Sequence, residues 1–162
     1  MHPFAILQSL LLLLLANGAP VVAKKVFDRR FARPLDAGLR LPDGRPVFGP
    51  SKTLRGIVVA VLAAAAGAPL LGLAPKLGAF VALGAMAGDL LSSFVKRRLA
   101  LRPSSRAVGL DQVPESLIPL LVCRTALALT AADIALAVAI FFIGEILLSR
   151  LLYRVHLRDE PY

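Results

Sequence analysis

Five stretches of about 17–21 predominantly apolar residues recur along this 162-residue chain: 3–23, 56–74, 77–95, 114–131 and 133–150. A helix rising ~1.5 Å per residue needs about 20 such residues to cross a ~30 Å hydrocarbon core, so each run is long enough to span a bilayer. No ten-residue alternation of apolar and polar residues recurs, which argues against a membrane β-barrel. The expected fold class is therefore all-α: a polytopic transmembrane helical protein with about five spans, one membrane domain over 1–162, and loops at about 24–55 and 96–113. Composition agrees. Hydrophobic residues make up 57% of the chain, against about 45–50% in a globular protein, and the surplus has to face lipid.

Charge placement orients the spans. The chain carries 19 Lys+Arg against 10 Asp+Glu. The cations cluster in 24–55 (Lys24, Lys25, Arg29, Arg30, Arg33, Arg40, Arg45, Lys52, Arg55), in 96–111 (Lys96, Arg97, Arg98, Arg102, Arg106) and in the tail (Arg150, Arg154, Arg158), whereas the other side holds only Lys76. The positive-inside rule then places the N-terminus outside and both long loops and the C-terminus in the cytoplasm of a multi-pass cell-membrane protein. No Lys or Arg precedes the first run and Lys24–Lys25 follow it, the reverse of a signal peptide, so 3–23 reads as a span. Aromatic residues are 6% and Trp is absent, so no stacking platform for bases can be built and a nucleic-acid partner is not expected. His2 and His156 lie near opposite ends and Cys123 is the single cysteine, which leaves no basis for a Ser–His–Asp site, a disulfide or a zinc cluster.

Ionisable groups within spans are costly and become functional candidates by default. Asp133 opens the fifth run, where it can cap a helix and face its dipole. Arg124 and Glu145 can bridge spans four and five as an ion pair, or Arg124 can meet an anionic substrate. Asp89 stands in Gly88-Asp89-Leu90-Leu91-Ser92-Ser93-Phe94-Val95-Lys96-Arg97-Arg98. Helical spacing puts Asp89, one of Ser92 and Ser93, and Lys96 on one stripe, a set suited to a metal-bound phosphate. A snorkelling helix end with Asp89 paired to Arg124 remains open beside it.

Two loop segments add donors. Gly49-Pro50-Ser51-Lys52-Thr53-Leu54-Arg55-Gly56 sets Lys52, Thr53 and Arg55 before a helix N-terminus, which favours phosphate or, equally, lipid headgroups. It lacks the order of a Walker A loop. Gly109-Leu110-Asp111-Gln112-Val113-Pro114-Glu115 crowds acidic residues at the start of span four, for metal or for the helix dipole.

In this order, Lys-Thr-x-x-Gly, then Gly-Asp-x-x-x-Ser-Phe-x-Lys-Arg-Arg, then Leu-Asp-Gln, the chain resembles the archaeal CDP-archaeol synthases, distant relatives of the CDP-diacylglycerol synthases. Asn17-Gly18-Ala19-Pro20 fits the archaeal branch. The resemblance implies transfer of CMP from CTP to an isoprenoid ether lipid phosphate, unsaturated archaetidic acid, with Mg²⁺ as cofactor and pyrophosphate released. It further implies Asp89 and Asp111 as catalytic and metal carboxylates with Lys96 and Lys52, and substrate contacts from Lys52, Thr53, Arg55, Ser92, Ser93, Lys96, Arg97, Arg98, Gln112 and Asn17. The Pro-Gly-His-Gly-Gly stretch of the bacterial enzymes is missing. Their acidic residue three places after the first aspartate is Pro114 here, with Glu115 able to substitute. Partners implied are CTP, the lipid phosphate and the bilayer, and a homo-oligomer is compatible with the sequence. The rival readings are a CTP-dependent polyprenol kinase, which releases CDP, and a small transporter or channel subunit with Asp89, Arg124 and Glu145 lining a pathway.

Overall fold

The computed structural model describes residues 1–28, 30–101, 105 and 107–154, without the side chains of 150 and 152–154. Arg29, Arg102, Pro103, Arg106, His156 and Arg158, and the side chains of Arg150 and Arg154, therefore lie outside the described residues. The described chain is helical: α1 (Pro3–Phe27), α2 (Leu54–Gly67) with a 3₁₀ turn at Ala68–Leu71, α3 (Pro75–Arg98), α4 (Gln112–Val122) and α5 (Ala131–Arg154). Two isolated β-bridges, Pro34 with Thr53 and Arg40 with Pro46, are the only extended pairings among the described residues. Each helix packs on the next and α5 returns to α1, closing a ring that α1 also crosses to reach α3.

Small residues set how closely the helices approach. Without a hydrophobic driving force between helices in lipid, close backbone approach at Gly and Ala supplies the packing. A Cβ on Gly78 would fall 2.7 Å from the Ala64 carbonyl carbon, so α2 and α3 touch backbone to backbone there. On α3 the next two contacts run down to α4. A Cβ on Gly84 would lie 2.8 Å from Pro119 Cα, and one on Gly88 would lie 2.7 Å from Glu115 N. Leu12, Leu13, Ala16, Ala60, Ala64, Val81, Ala82, Ala85 and Leu120 fill the core between these seams.

Four helical stretches, Pro3–Phe27, Leu54–Leu71, Pro75–Arg98 and Ala131–Ser149, are long and apolar enough to cross a membrane. The fourth apolar run departs from the full span expected over 114–131. Its helix has 11 residues, about 16 Å, and turns follow to Thr130. The regular ladder ends where the Arg124 N–H turns back to Leu121 O, three residues earlier, and the chain then passes through Ala128 at φ 53°. Its start is equally displaced. Gly88 meets Pro114 about ten residues before the end of α3, so α4 begins ~15 Å above that end. The segment leading into α4 thus folds back into the bundle.

The end of the bundle away from the two long loops is tied by polar contacts. Gln8 Nε2 donates to Leu71 O at 2.7 Å. Asp133 is fully buried and belongs to a capping box whose N-cap is Thr130: Asp133 Oδ2 accepts the Thr130 N–H at 3.0 Å, and Thr130 Oγ1 accepts the Asp133 N–H at 3.2 Å. Asp133 is therefore the third helical residue rather than the cap itself. It also accepts the His2 N–H and faces His2 Nδ1, both at 2.9 Å, which fastens α1 to α5.

Candidate active site

The first loop and the re-entrant second loop converge on α3. Lys52 Nζ lies 2.6 Å from both carboxylate oxygens of Asp89. Two turns further down α3, Lys96 Nζ lies 2.6 Å from Asp111 Oδ1 and donates to Ser105 O at 3.1 Å. Lys96 also sits in the field of Asp89, and Arg97 in that of Asp111, so the two pairs form one cluster. From α4, Glu115 brings its carboxyl within hydrogen-bonding reach of Asp89, and Glu145 on α5 lies close enough to act on Glu115. Lys96, Arg97 and Glu115 are buried, whereas the side chains of Lys52 and Asp89 keep 23% and 21% of their surface, so the cluster is reachable from the side of the two loops.

The backbone explains why the residues meet. Pro114 has no N–H, so the carbonyl four residues earlier, Leu110 O, has no helical donor. Ser92 Oγ takes that role at 2.6 Å, with Gly88 O as its alternative acceptor at 2.9 Å. Gln112 Oε1 accepts the Gly109 N–H, and Asp111 Oδ2 accepts the Ala107 N–H. With α4 resting on Gly88, Glu115 is held against Asp89.

The first loop is fixed separately. Asp36 accepts N–H groups from Gly38, Phe48 and Gly49. Burial works against its charge, but the bonds from Gly49, Phe48 and Gly38 prevail and hold its carboxyl below the ordinary carboxylate range. Arg98 donates to Pro46 O and to Asp43, and lies over the Phe94 ring at 5.3 Å.

Three comparisons bear on what this arrangement belongs to. The family model described as CarS-like, CDP-archaeol synthase, matches residues 74–162. The CDP-archaeol synthase of Pyrobaculum calidifontis is 35% identical over 91% of this chain and 90% of its own length. The chain belongs to the CDP-archaeol synthase family. The relative from Hyperthermus butylicus is 44% identical over 62% of this chain, and the match spans 60% of that protein's length. The solved structure of an intramembrane enzyme for archaeal membrane lipids biosynthesis superposes with a TM-score of 0.75 at 34% identity, covering 87% of this chain and 90% of that one.

For this family member, most of the residues singled out in the sequence fall into two groups. Lys52, Asp89, Lys96, Asp111 and Arg97 share the cluster. Ser92, Thr53, Arg55, Arg98 and Gln112 are engaged with the protein's own backbone: Thr53 caps α2 by accepting the Gly56 N–H at 3.2 Å, and Arg55 donates to Asp28 O and Arg30 O just past α1. Ser93 is buried on α3. Asn17 lies within α1, its amide nitrogen buried with no hydrogen-bond partner among the described residues. The Arg124–Glu145 and Asp89–Arg124 pairs do not form. Arg124 falls beyond the end of α4 and is exposed, Glu145 faces Glu115, and Lys52 takes Asp89. Glu115 is the cluster member that sequence reasoning held only as a substitute. Its signal was the Pro-Glu step at the head of α4.

No group of three or more His, Cys, Asp or Glu side chains among the described residues forms a ready metal cage. Mg²⁺ does not need one, since it is held by one or two carboxylates together with substrate phosphates and water. The Asp89–Glu115 contact fits that demand, because two carboxyl groups at hydrogen-bonding reach require a proton or a cation between them.

Proposed function

We propose that the chain is a membrane cytidylyltransferase that forms CDP-archaeol from CTP and an isoprenoid ether lipid phosphate, unsaturated archaetidic acid, and releases pyrophosphate. The observation that carries this reading is the Lys52–Asp89–Glu115 and Lys96–Asp111 cluster, which runs along the last ~15 Å of α3 from Asp89 to Lys96 and is open toward the loops. A lipid phosphate can reach that depth with its chains still in the bilayer. An oxygen of the lipid phosphate attacks the α-phosphorus of CTP, the α–β anhydride bond breaks, and pyrophosphate carries away the electron pair. The nucleophile needs no base from the protein, since a phosphomonoester with a second pKa near 6 is largely dianionic at pH 7. The obstacle is repulsion between anions, which Lys52, Lys96 and Arg97 offset by position and charge. Mg²⁺ held by Asp89 and Glu115, with Asp111 beside them, would supply electrostatic stabilisation of the phosphates. The cation-rich loops belong in the cytoplasm, where CTP is found, and the N-terminus outside. Single cysteines at Arg40 and Lys76, in a Cys123→Ala background, should label from opposite faces.

The test is purified protein in detergent with CTP, Mg²⁺ and the ether lipid phosphate, read as CDP-lipid and pyrophosphate. Release of CDP instead identifies a kinase, and ion flux in liposomes without CTP identifies a transporter. Asp89→Asn and Glu115→Gln should each lower turnover by at least about 100-fold with the melting temperature retained, and Asp111→Asn should lower turnover and melting temperature together. An Asp111→Asn protein with full activity and an unchanged Mg²⁺ response removes Asp111 from the site.

A further inference from the structure

The contact between Lys52 and Asp89 bears on when a metal can arrive. The ammonium stands 2.6 Å from Oδ1 and 2.6 Å from Oδ2, so a single cationic group spans both oxygens of the carboxylate. A divalent ion bound to those oxygens at ~2.1 Å would meet that ammonium in the same space and with the same sign of charge. The two lysines of the cluster are not equivalent. Lys96 is held by the Ser105 carbonyl as well as by Asp111, whereas Asp89 is the sole hydrogen-bond partner of Lys52 Nζ among the described residues.

We infer that Lys52 is a built-in competitor for the metal carboxylate, giving up Asp89 only when a nucleoside triphosphate arrives to receive its ammonium, so that the site takes the metal–nucleotide complex in preference to the free metal. This rests on the reading that a divalent cation binds at Asp89. The exchange is a swing of one side chain, not a loop movement, because the backbone on both flanks is fastened. The Lys52 N–H donates to Gly49 O, Lys52 O accepts the Leu35 N–H at 2.8 Å, and the Leu54 N–H donates to Arg33 O. The flexible four-carbon stem of lysine allows the swing, and the partial exposure of both partners lets a triphosphate reach them. Lys52 thereby serves twice, as the counter-ion that makes a buried carboxylate tolerable before substrate binds and as a triphosphate ligand afterwards.

The experiment measures Mn²⁺ binding to the full chain in detergent from the loss of the free-ion electron paramagnetic resonance signal. It is run without lipid phosphate, and with or without a CTP analogue carrying a methylene bridge between the α and β phosphates. The wild-type protein should bind Mn²⁺ weakly alone and about tenfold or more tightly with the analogue. Lys52→Met should bind Mn²⁺ alone about tenfold more tightly than wild type and gain little from the analogue. Lys52→Gln should behave alike and serves if the Met variant does not fold. If monodisperse variants bind Mn²⁺ no more tightly than wild type while Asp89→Asn abolishes binding, the competition is refuted and the metal reading stands. If Asp89→Asn leaves Mn²⁺ binding unchanged in both the wild-type and Lys52→Gln backgrounds, the metal reading fails, and the inference with it.

Discussion

Gly88→Ala is a one-carbon change that tests whether the α3–α4 seam sets the chemistry. The added Cβ would sit 2.7 Å from Glu115 N and nearer still to the Pro114 carbonyl, against an ordinary contact distance of at least 3.4 Å. Both obstacles are backbone, so no rotamer relieves them, and α4 must withdraw by about 1 Å. Overpacking of this kind costs about 1–3 kcal/mol, which lowers the melting temperature by several degrees. The larger effect is expected on turnover. Glu115 moves with the strand of backbone that is pushed, and a misplacement of ~1 Å at a reacting centre costs on the order of 100-fold in rate. Gly144→Ala is the matched control: a Cβ there meets nothing within 4 Å, and alanine in a helix should be neutral or stabilising. The assay is initial-rate CDP-lipid formation at saturating CTP, paired with detergent melting for both variants. A Gly88→Ala protein with wild-type turnover would refute the reasoning, since Glu115 could then not depend on the seam.

Ser92→Ala should leave Leu110 O without a donor, lowering stability by about 1–3 kcal/mol and raising the Mg²⁺ concentration needed for half-maximal activity, while Ser92→Thr should restore much of both. Arg98→Ala should loosen the first loop and reduce turnover, and Arg98→Lys should not rescue it, because one ammonium cannot reproduce a planar fork that reaches Pro46 O and Asp43 together. Asp36, whose folded carboxyl titrates below its unfolded value near 3.9, stabilises the loop above that value and loses the contribution as pH falls through the folded one. Amide exchange at Phe48 and Gly49 should therefore accelerate below about pH 4, and Asp36→Asn should remove most of that pH dependence.

The spans were legible because hydropathy alone reports them, and the motif around Asp89 was legible because charge inside an apolar run is expensive. What could not be read was where a helix stops inside the membrane. The stretch after Val122 remains apolar, so nothing in its hydropathy distinguishes helix from turn, yet the chain breaks there and carries Arg124 away from Glu145. The loop arginines show a second limit. Arg55 and Arg98 lie in cation-rich motifs that read as phosphate ligands, and in the structure they donate to carbonyls at Asp28, Arg30 and Pro46, partners that the motifs do not indicate. Which loop carbonyls need donors depends on the loop conformation, and a sequence does not print that. Glu115 gained its place through Gly88, a contact between residues far apart in the chain whose closeness follows from the missing side chain rather than from any polar signal.

The depth of the cluster follows from irregular backbone, not from the helices themselves. A segment that enters the bundle cross-section without being helical survives where its backbone polar groups are satisfied by protein or by water in a cavity. Ser92 serves Leu110 O, Asp111 serves Ala107 N, Gln112 serves Gly109 N, and Lys96 serves Ser105 O. Asp111 and Lys96 are therefore bound twice, once to the backbone that brings α4 to its level and once to each other. Substitutions at these two positions should damage stability and turnover together. Lys52 and Asp89 carry no such backbone bond among the described contacts, so their charge can be altered while the re-entrant segment stays in place. That division separates the part of the cluster that builds the site from the part free to exchange partners when an anionic substrate enters it.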